Sequence, residues 1–401
     1  MRPLEMATNS VPSAAINSQM DGRDCPWAKT PHRAADGTKI VEIDYLNDAR
    51  YKPFLASQSH ALIFHHPGWL NALAAESRTK CVVLACENAA GDLLGILPLM
   101  YTRGLPFNIG AQQTGRRLTS LPRTPDAGLV SSDDDANAML LRFALAKASA
   151  EWVRLQIKST LNLRTEKVEG IVHTNWRPTY RVEIPERRER LQFGDAHNRH
   201  NLRWGVKKAE KGGVRVRPAE SEAELCAWYP RYLATMRRNV VPPRSLRFFL
   251  AMWRELAPQG LMQLQLAEQV DDNQRRLVAG SIFLKFGERI WYVFTGVADR
   301  DLPLHPNDLI LWNAIHEACG TGIRWIDLGE VPEEHPELVR FKTKWGAQPI
   351  EQYRYYAVGA PQESAAAAKV TAQTVGLLRR CWRHLPLGVT ARLGDLIYSR
   401  L

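Results

Sequence analysis

The run Asp327-Leu328-Gly329-Glu330 places two acids around a glycine at the end of an apolar segment. A carboxylate at such a strand end can take a proton from a nucleophile or hold a cationic substrate group. It can equally cap a turn or a following helix. Lys342 follows Phe341 in the segment FKTKWG. With Lys344 two residues on, its own surroundings in the sequence fit an exposed helix face. Arg199, Arg203, Lys207 and Lys211 recur every four residues and form one stripe on a helix, either a solvated face or a phosphate site. His305 precedes Pro306, which favours extended backbone, so its ring lines a channel or caps the next helix. Tyr292 and Trp312 suit stacking on a base or sugar, and suit the core as well. In the N-terminal half Arg123, Asp126, His66 and Trp69 are candidates for an acceptor pocket. The six cysteines form no CxxC pair and read as buried apolar residues, with no metal site or disulfide frame.

These residues are carried by alternating strands and helices. A strand begins at Ile40, a helix follows near Pro67–Glu76, and the strands CVVLACE and LLGILPLMY flank a turn at 88–92. Later LMQLQLAE, RLVAGSIFLKF and RIWYVFT form a three-strand meander. The helix–strand unit starting at Asn137 aligns without a gap to the one starting at Asn307, an offset of 170 residues. Asn137/Asn307, Leu141/Leu311, Ala144/Ala314, Ala148/Ala318 and Arg154/Arg324 are identical, and Ile157 is replaced by Asp327. The repeat predicts an α/β protein of two related domains, 39–184 and 185–358, with chemistry in the second. Residues 1–38 lack periodicity and are expected to be disordered, and 359–401 to form basic amphipathic helices.

The order meander, loop, helix 306–319, strand 323–328, helix 334–345 and strand 349–357 is that of the GNAT acyltransferase fold. With "KKAEKGGVRV", "HPNDLILWNAI", "DLG" and "FKTKWG", the chain resembles the tandem-GNAT FemAB family and CelD-like acetyltransferase domains over about residues 40–358. The resemblance implies transfer of an acyl or aminoacyl group to an amine of a peptidoglycan precursor or cell-envelope polysaccharide. It implies that the Phe341-Lys342 pair lies at the reaction centre, with Lys342 on the oxyanion. Asp327 and Glu330 are then the candidate bases, and Phe341, His305, Tyr292, Trp312, Arg199, Arg203 and Lys207 contact substrates.

Coenzyme A-dependent GNAT enzymes cradle the pyrophosphate in a glycine-rich loop before the central helix. Here that loop is ADRDLPLHPN, without glycine, and Asp308 in the first turn of the helix repels an anion. The donor is therefore acyl-CoA or aminoacyl-tRNA, as a co-substrate and not a resident cofactor. The acceptor is a lipid-linked or nucleotide-linked glycan. A net charge of +11 with ten Lys/Arg against four acids over 186–217 also fits a different class, a non-catalytic module binding RNA or anionic lipid in a polysaccharide assembly complex. The N-terminus has no apolar signal segment and the chain no run of about 18 apolar residues, so a cytoplasmic location is expected. Leu377, Leu378, Trp382, Leu385 and Leu387 beside Arg379, Arg380, Arg383 and Arg392 form a tail able to meet the inner face of a membrane or to cap the core.

Overall fold

The computed structural model describes residues 34–104, 116–163, 168–192, 194, 197–271, 274–331, 336–358 and 381–400. Of the segment expected to be disordered, residues 1–33 lie outside this part, and 34–38 form a turn closed by the Ala34 N–H on the Thr38 carbonyl. The elements in chain order are β1 (Lys39–Ile43), α1 (Tyr51–Ser57), α2 (Pro67–Ser77), β2 (Cys81–Glu87), β3 (Leu93–Thr102), β4 (Arg117–Thr119), α3 (Asp134–Ala150), β5 (Arg154–Ser159) and β6 (Ile171–Glu183). The second series is α4 (Arg199–Lys211), β7 (Val214–Pro218), α5 (Glu222–Arg238), α6 (Leu246–Leu256), β8 (Met262–Asp271), β9 (Gln274–Phe286), β10 (Arg289–Val297), α7 (Pro306–Ala318), β11 (Trp325–Glu330), α8 (Pro336–Thr343) and β12 (Gln348–Ala357). A last helix, α9, spans Leu387–Tyr398.

All twelve strands join one sheet in the order β1-β2-β3-β4-β5-β12-β6-β11-β10-β9-β8-β7. The first five strands of each series run from an edge of the sheet toward its middle, so the sheet is pseudo-symmetric about the β12–β6 pair. The sixth strand of each series crosses over: β6 pairs with β11 and β12 with β5, both antiparallel. The aligned units 137–157 and 307–327 fall on α3–β5 and α7–β11, each with a parallel neighbour, β4 or β10. The chain is a mixed α/β fold of two GNAT-like halves, and the strand exchange fuses them.

Local sequence explains the helices. Asp133 caps α3, accepting from the Asp135 and Ala136 N–H groups. Ser221 and Ser245 cap α5 and α6, and Pro306 opens α7, where a missing N–H costs nothing. One apolar core, containing Trp69, Trp228, Phe248 and Phe249, packs α2, α5 and α6 of both halves against strands of both. The other two cores lie under α3 and under α4 and α7 respectively. The shared core also buries an ion pair between halves, Arg244 with Glu76, each side chain 3% exposed. Burial raises the Glu76 pKa, opposed by the Arg244 charge.

The tail helix docks on this shared layer. Leu387 and Ala391 pack on the core, and Arg247 pairs with Asp395. Leu377, Leu378, Arg379 and Arg380 lie outside the described residues. Among the described residues, no helix is long and apolar enough to cross a membrane.

Candidate active site

The pairing of β10 with β11 covers only Arg289–Trp291 against Trp325–Asp327. A bulge between Tyr292 and Phe294 then turns β10 aside. The pairing of β4 with β5 is equally short, Arg117–Thr119 against Arg154–Gln156. These openings face one cavity of 540 Å³ at the junction of the halves. Its walls come from β10 (Tyr292, Val293, Phe294), β11 (Leu328, Gly329, Glu330), β4 and β5 (Arg117, Gln156, Lys158), β6 and β12 (Trp176, Arg177, Arg354), α5, and Tyr398 of α9.

Its charge is lopsided. Six cations line it: Arg117, Arg123, Lys158, Arg177, Arg244 and Arg354. Glu330 is the one carboxylate among the described lining residues. It accepts from Trp176 Nε1 at 3.1 Å and from Arg354 at 3.3 Å. Lys158 is buried and donates to the carbonyls of Leu121 and Thr124 at 2.7 and 3.1 Å. Those bonds hold a turn in which Leu121 (φ 61°) and Arg123 (φ 51°) are left-handed, a conformation side chains rarely adopt. The turn brings Arg123 to the cavity. Arg244 is paired with Glu76 behind the wall and Arg354 with Glu330, and the excess of cations in the lining favours an anionic ligand over a cationic one.

The residues singled out from sequence divide into three groups. Glu330 and Tyr292 line the cavity, as do Arg123 and Trp69 from the first half. Tyr292 accepts from Ser281 Oγ at 3.4 Å, and burial raises its phenol pKa. Asp327 and Lys342 stand just behind. Asp327 accepts from Thr179 at 2.5 Å, from Arg181 at 3.0 Å and from the Gly329 N–H at 2.8 Å, which pins β11 to β6. Lys342, only 8% exposed, donates to the carbonyls of Gly329 at 2.7 Å and Glu330 at 3.2 Å. Burial lowers its pKa to about 8, against the raising influence of Asp327 and Glu330. Asp126 is buried outside the lining and accepts from Thr160, its pKa raised by burial, while His66 caps α2.

A third group lies away from the cavity, around the N-terminus of α7. His305 is left-handed (φ 53°), where extended backbone was expected from the following proline. Its Nδ1 lies 3.3 Å from Asp308, and its ring abuts Trp204 of α4. Asp308 pairs with Lys344 at 3.0 Å. Gly205 of α4 packs so close that a Cβ there would come within 2.9 Å of the Asp308 carboxylate. The first turn of α7 is thus covered by α4 and carries an acid. Arg199 bonds Gln192, Arg203 and Lys207 are exposed on α4, and Phe341 and Trp312 border the second-half core. None of these five residues lines the cavity.

Residues 196–342 match the family model described as Acetyltransferase (GNAT) domain. A crystal structure of FemX superposes with a TM-score of 0.62 at 14% identity, covering 79% of this chain and 96% of that one. The chain therefore carries a GNAT domain and has the fold of FemX. A conserved protein of unknown function from Bacteroides thetaiotaomicron has the same fold, with TM-score 0.55 and 11% identity over 79% of this chain and 99% of its own. L-PGS from Bacillus licheniformis follows at TM-score 0.51 and 10% identity, covering 87% of this chain and 96% of that one. In sequence the chain is 26% identical over 133 residues to a UDP-N-acetylmuramoylpentapeptide-lysine N(6)-alanyltransferase from Weissella viridescens. That match takes in 32% of this chain and 37% of the relative's length.

The sequence reading missed most of the cavity. Arg117, Lys158, Trp176, Arg177, Arg244 and Arg354 were not singled out. A signal existed for two of them: Lys158 and Arg354 are cations inside otherwise strand-like runs, LQIKS and QYRYYA. A charge so placed is rarely buried without a partner or a role.

Proposed function

We propose that this protein transfers an acyl or aminoacyl group to an amine of an anionic peptidoglycan precursor, with the central cavity as the reaction chamber. The observation that carries the reading is the cavity itself, six cations and one carboxylate where both halves open. The cations hold the phosphate or carboxylate groups of the acceptor, whose chemistry is that of the acceptor named for the Weissella viridescens relative. The amine sits beside Glu330. Its nitrogen attacks the donor carbonyl, a C–N bond forms, and the bond from that carbon to the donor oxygen or sulfur breaks. Glu330 accepts the amine proton and returns it to the leaving group. Lys342 fixes Gly329 and Glu330 from behind and supplies positive charge next to the developing oxyanion.

The covered N-terminus of α7 favours an aminoacyl ester over acyl-CoA as donor. An anion bound at a helix end needs open N–H groups and no competing acid, and here Asp308 and α4 occupy that end. The exposed face of α4, with Arg203, Lys207, Lys208 and the 52%-exposed Trp204, offers charge and a stacking surface to the polyanionic part of such a donor. The test is a transfer assay with UDP-N-acetylmuramoylpentapeptide as acceptor and either alanyl-tRNA or acetyl-CoA as donor, read by product mass. The expected product is the alanyl adduct, lost in Arg354→Met. No adduct with either donor would overturn the reading.

A further inference from the structure

The cavity holds its arginines in two aromatic clasps. Trp176, on the sheet, has the Arg177 guanidinium 5.1 Å and the Arg354 guanidinium 4.8 Å from its ring. Tyr398 has Arg123 at 5.3 Å and Arg244 at 5.0 Å. Each ring lies against two guanidiniums, one of them also paired with a carboxylate, Glu330 or Glu76, and sets their spacing. The first clasp belongs to the central strands. The second depends on α9, which lies beyond the last strand of either half.

That helix is built to dock in one position. Gly394 meets Pro243 so closely that a Cβ would stand 2.2 Å from the Pro243 carbonyl oxygen. The Arg103 and Gly104 N–H groups of the first half donate to the Arg400 carbonyl at 2.9 and 3.1 Å. Arg237 of the second half donates to the Leu385 carbonyl at 3.1 Å. The helix is thereby tied to both halves, and Tyr398, 8% exposed, is turned inward against Arg244, whose other face lies 4.2 Å from Phe248.

We propose that α9 completes the acceptor site and that Tyr398 is a positioning residue, setting Arg123 and Arg244 as a pair for one diphosphate or dicarboxylate group. This rests on the central cavity being the acceptor site. Arg244 stays tied to Glu76 and to the Arg123 carbonyl, so without the ring it is the Arg123 guanidinium that loses its place beside it, and the wall nearest the tail opens to water.

Calorimetric titration of the full-length protein with inorganic pyrophosphate tests it, with melting temperature followed on the same samples. Tyr398→Phe keeps the ring and is expected to bind within twofold of the parent. Tyr398→Leu is expected to bind roughly tenfold more weakly, the scale of a desolvated cation–π contact. Gly394→Leu, which cannot seat the helix, should show the same loss although every cavity side chain is unchanged. Arg354→Gln, in the other clasp, reports on the cavity separately. Weakening in Tyr398→Leu and Gly394→Leu, with Tyr398→Phe normal, supports the proposal. Parent-like binding in both, while Arg354→Gln is weakened, would overturn the role of α9 and leave the cavity assignment standing. A parent that does not bind pyrophosphate, or binding unchanged in all four variants, would overturn the cavity assignment and the proposal with it. In the transfer assay Tyr398→Leu should raise the acceptor KM and leave kcat near the parent value, which a general loss of folded protein would not do.

Discussion

The halves share a helix and a strand at a fixed offset of 170 residues, yet the ends of those strands differ in charge and in employment. On β5 the end reads Ile157, Lys158, Ser159, Thr160, and on β11 it reads Asp327, Leu328, Gly329, Glu330. Lys158 braces the turn that presents Arg123, so the first half contributes fixed positive charge. Glu330 faces the same cavity as its one described carboxylate, with Lys342 behind it. A duplicated scaffold has therefore become two unlike walls, one carrying fixed positive charge and one carrying the carboxylate, which on the proposed function hold an anion and handle a proton. The exchanged strands β6 and β12 make this possible by bringing both strand ends to one floor.

If the second-half wall carries the proton, Glu330→Gln should have the largest effect. Its turnover is expected to fall by about 10²- to 10⁴-fold, the scale of general base catalysis, with acceptor KM little changed; steady-state kinetics checks this. Lys158→Met, on the other wall, should do the reverse, raising acceptor KM with a smaller loss of kcat. Equal kinetic signatures for the two variants would erase the distinction.

The seam between halves is expected to respond in stability. Arg244→Met leaves Glu76 buried without its charge partner, a loss of about 3–5 kcal/mol in denaturant unfolding. Adding Glu76→Gln should return part of it, because the stranded carboxylate is then removed.

A pH profile sharpens the role of Lys342. Its folded pKa is lowered by burial to about 8 from the usual lysine value of 10.5. Between those values the unfolded chain binds the extra proton, so this group makes stability rise with pH across that window. A rate that needs the ammonium should instead fall as pH passes about 8. In Lys342→Arg that falling limb should move to higher pH. The smallest effect is expected on α4: Lys207→Gln should weaken donor use by less than about tenfold and reduce its salt dependence, as the loss of one exposed phosphate contact does.

Much of the fold was legible because α3–β5 and α7–β11 kept their spacing, and because the period-2 runs of the meander marked β8 to β10. The strand exchange was not legible. Alternation tells which face of β6 or β12 is buried, but not which strand lies beside it. The same limit hid the cavity, since Arg117, Lys158, Arg177 and Arg354 come from four strands that only the exchanged order brings together. The stripe on α4 was visible as a stripe, but its distance from the cavity depended on how α4 packs on α7. Asp327 stood out through its contrast with Ile157 and serves to fasten β11 to β6, while Glu330 was noted as the acid that follows the same glycine turn.

The central claim is that one cavity between unlike walls joins an anionic acceptor to the transfer step. Its most direct measurement is single-turnover transfer of alanine from alanyl-tRNA to UDP-N-acetylmuramoylpentapeptide by the parent, Glu330→Gln and Arg354→Met proteins. The account predicts an alanyl adduct with the parent, acceptor binding without transfer in Glu330→Gln, and weakened acceptor binding in Arg354→Met. Transfer at the parental rate by both variants would contradict it.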